Sequence, residues 1–497
     1  MRCLTVSPYF LYFIAAIISI FCSVWVSSQE TLINPDGICY LQSAAAMKAG
    51  IHFAMNLCDQ AKWPLYAWLI AKLVDLTQLS YVHAAYVLDS FFSLLTVLFF
   101  MRILSFLTLS SDKLSSKNHS SCILSLGALV ILFAHEFNAV KAYIIRDHGF
   151  WTFYLLSILM LLYYFRERQW RYAFAWSVSS TIATLFRIEG AIFLLAIPWV
   201  AWLEMNVPVL TRIKTFLQLN TFIIIASIFI VGVFLVYHPH LSGRLSELQF
   251  QLFHGLIVLK QNFQLKSAGL AQAVLSENGA RDATPVLFIT LFIWYFCNVI
   301  VNLSLIYSVL LVYAWVKKLV VTTYATRLVL WSYVFLNVLI TAVFLGQNMF
   351  LSKRYLLALS LTLMLWIPFT LHDFLQQWPQ RKWPLIVASV FIFIASLGGL
   401  FDFGYSKQYV REAGQWLENH VPKNAKLYSN DLQLMYYSNH FGNQLFIKST
   451  LRKYHDYDYI ALRGNQKSSF FQEIKLIPIQ IFQNKRGDQV RIYRKSL

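Results

Sequence analysis

The sequence predicts a polytopic α-helical membrane protein of about eleven spans, followed by a small α/β domain on the outer face. Three observations lead there. Of 497 residues, 58% are apolar and 13% charged, against roughly 25% charged in a soluble domain, which leaves too little polar surface to face water on all sides. The apolar residues come in blocks of about 18–25, enough at about 1.5 Å per residue to cross a hydrocarbon layer of roughly 30 Å. The net charge is +18, and the basic residues cluster between apolar blocks and after the last one. That is the pattern of cytoplasmic loops meeting anionic lipid, and it argues against a nucleic-acid partner.

The expected spans are 8–28, 82–107, 121–138, 148–165, 172–186, 190–204, 217–237, 285–313, 328–346, 355–373 and 384–403. The first begins with only Arg2 before it and no A-x-A-like site after it, so it reads as a retained span rather than a cleaved signal. Arg102, Lys113, Lys117, Arg166, Arg168, Arg171, Arg212, Lys214, Lys317, Lys318, Arg327, Arg381 and Lys382 fall in one set of loops. The excess of Lys and Arg places those loops and the N-terminus in the cytoplasm and the C-terminus outside. Residues 1–403 then form a transmembrane domain and 404–497 a soluble periplasmic one, and the expected location is a bacterial inner membrane.

Long outward segments fall at 29–81, 238–284 and 404–497, short ones near 139–147, 187–189 and 347–354. The first holds two helix-like stretches, Tyr40–Ala49 and Leu65–Leu76, suited to lying at the interface. The second is polar and interrupted by Gly243, Gly255, Gly269 and Gly279, as a mobile flap or a plain connector would be. In the third, a helix at Val410–His420 leads to a strand at Lys426–Ser429, a helical stretch near Leu432–Ser438, a buried strand at Tyr457–Leu462, and strands Ile474–Phe482 and Gln489–Tyr493 paired around the Asn484–Asp488 turn.

Six cysteines, at 3, 22, 39, 58, 122 and 297, include no C-x-x-C pair, and no histidine stands at metal-ligand spacing, so a structural zinc site is not expected. Cys39 and Cys58 share the first outward loop; whether they pair is left open, since it depends on an oxidising compartment.

Chemistry is expected on the outer face. Asn34-Pro35-Asp36-Gly37 sets a carboxylate just after a turn, where it reads either as a base at the membrane surface or as a cap of the helix beginning near Ile38. Lys62, in Ala61-Lys62-Trp63-Pro64, is either a contact for a lipid phosphate or an interfacial anchor. Arg146-Asp147-His148 opens the fourth span, and Arg187-Ile188-Glu189-Gly190 makes a tight turn. Each also reads as simple Arg–carboxylate pairing at a hairpin. Arg354-Tyr355 closes a further outward turn with a guanidinium able to grip phosphate in two-pronged fashion or merely to mark the interface. Asp36, Lys62, Asp147, Arg187 and Arg354 are distant in sequence yet expected at one membrane face, as a site for an anionic lipid requires.

Taken in that order, these motifs make the chain resemble, over nearly its whole length, the GT-C superfamily of membrane glycosyltransferases, in particular the branch of protein O-mannosyltransferases and lipid A aminoarabinose transferases. The resemblance rests on Pro35-Asp36-Gly37 with Tyr40, Lys62-Trp63-Pro64-Leu65-Tyr66, Asp147, Arg187 to Gly190, Arg354-Tyr355-Leu356-Leu357, and a late helix containing Arg411-Glu412-Ala413-Gly414-Gln415-Trp416-Leu417. It implies sugar transfer from a polyprenyl-phosphate donor to an acceptor hydroxyl. Asp36 and Asp147 would be the catalytic carboxylates, with Lys62, Arg354 and Arg187 on the donor phosphate, and Tyr40, Tyr66, Arg146, His148, Glu189 and Tyr355 around the substrate cavity. Members often carry a glutamate before the lysine where this chain has Ala61, which leaves open the donor sugar and any need for a divalent metal; no metal ligands are assigned. The acceptor, whether protein, glycan or lipid, is not legible. The competing reading is a transporter or lipid flippase, which calls for repeated halves and broken spans.

Overall fold

The computed structural model describes residues 7–109, 117–237, 244–378, 380–440, 457–468, 471 and 476–495. Cys3, Lys113, Gly243 and the beginning of the strand expected at 474–482 lie outside them. By its contacts the chain separates into two units, one of Met1–Val24, Asp89–Lys141 and Arg146–Leu400, the other of Trp25–Leu88, Ala142–Ile145 and Phe401–Leu497.

Among the described residues, seven helices are long and apolar enough to cross a membrane: Pro8–Gln29, Tyr81–Leu109, Asp147–Glu167, Ala280–Leu303, Tyr324–Asn348, Lys353–Gln376 and Lys382–Leu400. An eighth span is added if the bent pair His119–Leu132 and His135–Ala142 counts as one. The chain is therefore an integral membrane protein, but the expectation of about eleven spans is overturned. Several of the expected blocks differ from these helices. Trp170–Phe186 is a helix of 17 residues, at the lower limit of a crossing length, and Arg171, Ser177, Ser179, Ser180, Thr181 and Thr184 leave it outside the apolar helices. The stretch expected as 190–204 is apolar but short, Gly190–Leu203, with a 3-10 turn at Ile197–Trp199 around Pro198. The block 285–313 divides at Ser304, whose φ of 70° stops one helix and starts the next, Leu305–Val316. The block 121–138 bends by 55°, and 217–237 falls within Val209–Tyr237, which is not among the seven.

In the first unit, Asp147–Glu167 packs against Trp170–Phe186 and Tyr324–Asn348. The approach is close enough that a Cβ on Gly149 would land on the Phe186 ring. Inside this bundle, polar side chains join the helices: Tyr154 Oη lies 2.6 Å from Thr362 Oγ1 and accepts from Asn337 Nδ2 at 2.6 Å, while Tyr333 Oη accepts from Trp176 Nε1 at 3.0 Å. Such bonds contribute about 0.6 kcal/mol each between helices in a membrane, and they fix register where apolar packing alone is permissive. Ala280–Leu303 and Lys382–Leu400, by contrast, leave Phe288, Phe292, Phe391 and Phe393 exposed, the faces that lipid covers. The segment expected as a flap or connector at 238–284 is mostly one helix, Arg244–Ala273, which carries Gly255 and Gly269 in its interior. Two glycines cost about 1 kcal/mol each relative to alanine, too little to stop a helix of 30 residues.

In the second unit, Pro35–Ala46 and Leu65–Thr77 are the two helices of the first loop, and Gly50, at φ 123°, separates a 3-10 turn at Met47–Ala49 from the short helix Ile51–Met55. After Phe401 a helix at Gln408–His420 and a short one at Leu432–Tyr437 accompany a sheet of strands β1 (Leu427–Ser429), β2 (Tyr459–Asn465), β3 (Pro478–Gln483) and β4 (Asp488–Arg494), in the order β1-β2-β4-β3. β1 and β2 run parallel; β4 is antiparallel to both its neighbours. The first loop belongs to the same core, since Leu32 packs among Tyr409, Val410, Leu417, Leu434 and Ile492. Gln433 Nε2 donates to the Ile33 carbonyl at 2.7 Å, and the Ile33 amide donates to Tyr437 Oη at 2.9 Å.

Candidate functional site

Asp36 and Lys62 both lie in the second unit. Asp36 stands in the first turn of Pro35–Ala46, and the N-cap position belongs to Asn34, so the reading of Asp36 as the cap is corrected. Asn34 does not cap through its side chain; its Oδ1 accepts from the Ile144 amide at 2.9 Å and its Nδ2 donates to the Ile144 carbonyl at 3.3 Å. Proline in the first turn removes a donor that would have no partner there, and a carboxylate in that turn is favoured by the helix dipole. Asp36 Oδ1 accepts from Gln60 Nε2 at 2.9 Å.

Gln60 sits in the 3-10 turn Asp59–Lys62, so this bond brings the Asp36 carboxylate to the segment that carries Lys62. A disulfide between Cys39 and Cys58 closes the same pairing, with 6.2 Å between Cα atoms, within the ordinary range. The Lys62 ammonium is 2.8 Å from Asp59 Oδ1 in an ion pair whose side chains are 45% and 81% exposed. Tyr40 and Tyr66 are buried against one another edge to face, 5.0 Å between centroids. Asp59 and Gln60 were not singled out in the sequence. Asp59 carried a signal, the three-residue spacing to Lys62 on a helical turn; Gln60 carried none, because its partner is 24 positions away.

The first unit gathers a second group. The Arg187 guanidinium pairs with Asp147 through Nη1 and with Glu189 through Nη2, the latter at 2.5 Å. It also lies 4.5 Å from the Tyr355 ring centroid and 5.8 Å from that of Phe150. Arg187 and Asp147 are almost fully buried, their side chains 9% and 4% exposed. Burial pushes the Glu189 carboxyl up, but the neighbouring Arg187 charge, aided by Arg146, outweighs it and holds it down at about 2. Burial likewise opposes the Arg187 charge, and Asp147 and Glu189 more than reverse that, raising it above its usual range. His148 is buried beside Ser93, with Nδ1 3.2 Å from Oγ, and packs edge to face on Trp151. Arg354 is half-buried, its Nη2 donating to Tyr355 Oη at 3.4 Å.

A neighbouring pair was missed altogether. The buried Glu136 carboxylate takes Lys353 Nζ at 2.5 Å and faces His135 Nε2 at 3.3 Å. A carboxylate inside an apolar block was the available signal. Among the described residues no three His, Cys, Asp or Glu side chains are gathered so as to hold a metal ion.

No family model and no curated protein matches the chain. Among solved structures it is similar to the apo oligosaccharyltransferase of Archaeoglobus fulgidus, at a TM-score of 0.46 and 13% identity, over 89% of this chain and 60% of that one. It is similar to ArnT from Cupriavidus metallidurans in the apo state at a TM-score of 0.39 and 11% identity, over 97% of both chains. A third likeness is to the mycobacterial arabinofuranosyltransferase AftD, at a TM-score of 0.43 and 14% identity, over 87% of this chain and 31% of that one. With TM-scores below 0.5, these likenesses assign no family. What the long apolar helices define is the class: a polytopic integral membrane protein with a small sheet near its C-terminus.

Proposed function

We propose that the chain is a GT-C-type glycosyltransferase that moves a sugar from a polyprenyl-phosphate donor to an acceptor hydroxyl on the outer side of a bacterial inner membrane. The observation that supports it most is the tie between Asp36 and the Lys62 segment through Gln60 and the Cys39–Cys58 disulfide, which keeps one carboxylate and one ammonium in a single small region. The disulfide also favours an oxidising, outward side for residues 29–81.

In this reading the acceptor oxygen attacks the anomeric carbon and its proton passes to Asp36. The bond from that carbon to the phosphate oxygen breaks, and the lipid phosphate departs with the electron pair. A phosphate is a stable leaving anion, so a single well-placed base suffices, unlike the carboxylate pair of glycoside hydrolysis. Lys62 balances the phosphate charge. Its present partner is an exposed carboxylate, and an exposed ion pair contributes only about 0–1 kcal/mol, so exchanging Asp59 for phosphate costs little. In the first unit, Arg354 is the proposed contact for an anionic ligand, and Arg187 is a positioning residue for Asp147, both of its donor edges being engaged by carboxylates.

The test is purified protein supplied with a labelled lipid-linked sugar. Asp36→Asn lowers transfer by about 10²–10⁴-fold while donor binding survives; undiminished transfer would remove Asp36 as the base. If the wild type carries the lipid-linked sugar across vesicles without cleaving it, the transporter reading replaces this one. A reporter fused after Leu497 should appear outside, and a cytoplasmic signal would overturn the orientation.

A further inference from the structure

Within the first unit, near the start of the Lys117–Leu132 helix and the end of Ile367–Gln376, three side-chain nitrogens face one another. His119 Nδ1 is 3.1 Å from His372 Nε2; Gln376 Nε2 is 2.9 Å from the former and 3.4 Å from the latter. The two imidazoles meet nearly at right angles, 87° between planes. His372 and Gln376 stand one helical turn apart and so share a face, and the two helices pack against each other.

No placement of protons satisfies all three contacts. If the amide donates to both rings, the two ring nitrogens present lone pairs to each other. If one ring donates to the other, the acceptor nitrogen receives two protons and the donor ring points its own proton at the amide. Turning the amide by half a rotation, which ordinary structural data do not distinguish, puts its oxygen inward. The oxygen then faces either two N–H groups that repel each other or a lone pair of the acceptor ring. A cation at the centre removes the conflict, because it takes one lone pair from each of three atoms: two imidazole nitrogens and the turned amide oxygen. The separations agree. In a tetrahedral zinc site with bonds of about 2.0–2.1 Å, ligand atoms lie about 3.3 Å apart.

We propose that His119, His372 and Gln376 form a site for a divalent transition-metal ion of the zinc class, with water as the fourth ligand. Neutral imidazole suits zinc, copper and nickel, whereas magnesium and calcium prefer an all-oxygen set. His372 is buried and Gln376 exposed, so the site opens to solvent on the amide side, where the ion and its water enter. Bound there, the ion staples two helices that are far apart in sequence, independently of the chemistry assigned to Asp36.

The experiment uses the full-length, tag-free chain in detergent, stripped with EDTA and titrated with Zn2+, or with Co2+ for its visible ligand-field bands. One ion per chain is expected, with tetrahedral-type Co2+ absorption and a rise in Tm on adding Zn2+. His119→Ala and His372→Ala each lose at least tenfold in affinity, Gln376→Glu binds tighter by supplying a charged oxygen, and exposed His83→Ala changes nothing. Wild-type protein that takes up no ion would overturn the proposal, as would undiminished binding in both histidine variants. Should either alanine variant fail to fold, the wild-type stoichiometry and the Gln376→Glu change decide the matter.

Discussion

The ion pair between Lys62 and Asp59 and the one between Arg187 and Asp147 use the same chemistry in different solvents. The first is exposed on both sides, 45% and 81%; the second is nearly sealed, 9% and 4%. Water screens the exposed pair, and little is lost when it opens. In the sealed pair both charges have given up nearly all their hydration, so losing one partner leaves the other stranded. The contrast teaches where exchange of an ion-pair partner is cheap and where charge is fixed in place. It makes Lys62 a residue that can change partners and Arg187 one that holds Asp147 still.

Several measurements would break or sharpen that contrast. The largest effect belongs to the proposed base: Asp36→Asn should lower transfer by about 10²–10⁴-fold with an unchanged melting curve, and equal losses of activity and stability would instead make Asp36 structural. Next comes Arg187→Met, expected to destabilise the first unit by about 3–5 kcal/mol, with much of that recovered when Asp147→Leu and Glu189→Gln are added. A single variant as stable as wild type would mean that the cluster is hydrated.

Cleaving the Cys39–Cys58 link with reductant, or substituting both cysteines by serine, should remove about 3 kcal/mol from the second unit, given 19 positions between them. Protease sensitivity confined to residues 29–81 would report it. Lys62→Ala should raise the donor KM by roughly tenfold, about 1.4 kcal/mol, while Asp59→Ala shifts stability by less than about 1 kcal/mol; a large stability loss from either would contradict the exposed pairing.

The smallest effect is one of pH. Glu189 has its carboxyl held at about 2 against an ordinary 4.5. Its ion pair therefore contributes fully above about 4.5, and the contribution is lost as pH falls from there through about 2. The Tm difference between wild type and Glu189→Gln should match at pH 7 and pH 5. A difference that shrank over that interval would show Glu189 to be less strongly held.

Much of the architecture was legible because it depends on local pattern. The blocks at 8–28, 82–107 and 328–346 became single helices of nearly those bounds, since a run of apolar residues with no breaker has one satisfactory structure in lipid. The span count failed where that rule is incomplete. The bend after Leu132 divides an apolar block without changing its hydropathy, Gly190–Leu203 is apolar but too short, and Trp170–Phe186 carries Arg171 and a row of serines and threonines that dilute its apolar character. At the candidate site, the sequence pointed to Asp36, Lys62, Arg187 and Glu189. It gave no sign of Gln60 on Asp36, Lys353 on Glu136, or His119 beside His372, since those partners lie 24, 217 and 253 positions apart.

Composition and hydropathy by themselves determined that the chain is a membrane protein and that its helices run where unbroken apolar stretches allow, because transfer of each block to lipid is a local, additive free energy. Which carboxylate holds which cation, whether Cys39 meets Cys58, and which charges are sealed from water were decided by the tertiary structure. Those depend on distances of a few ångströms between residues remote in sequence, and an interaction that weakens so steeply with distance and hydration leaves no periodic trace along the chain.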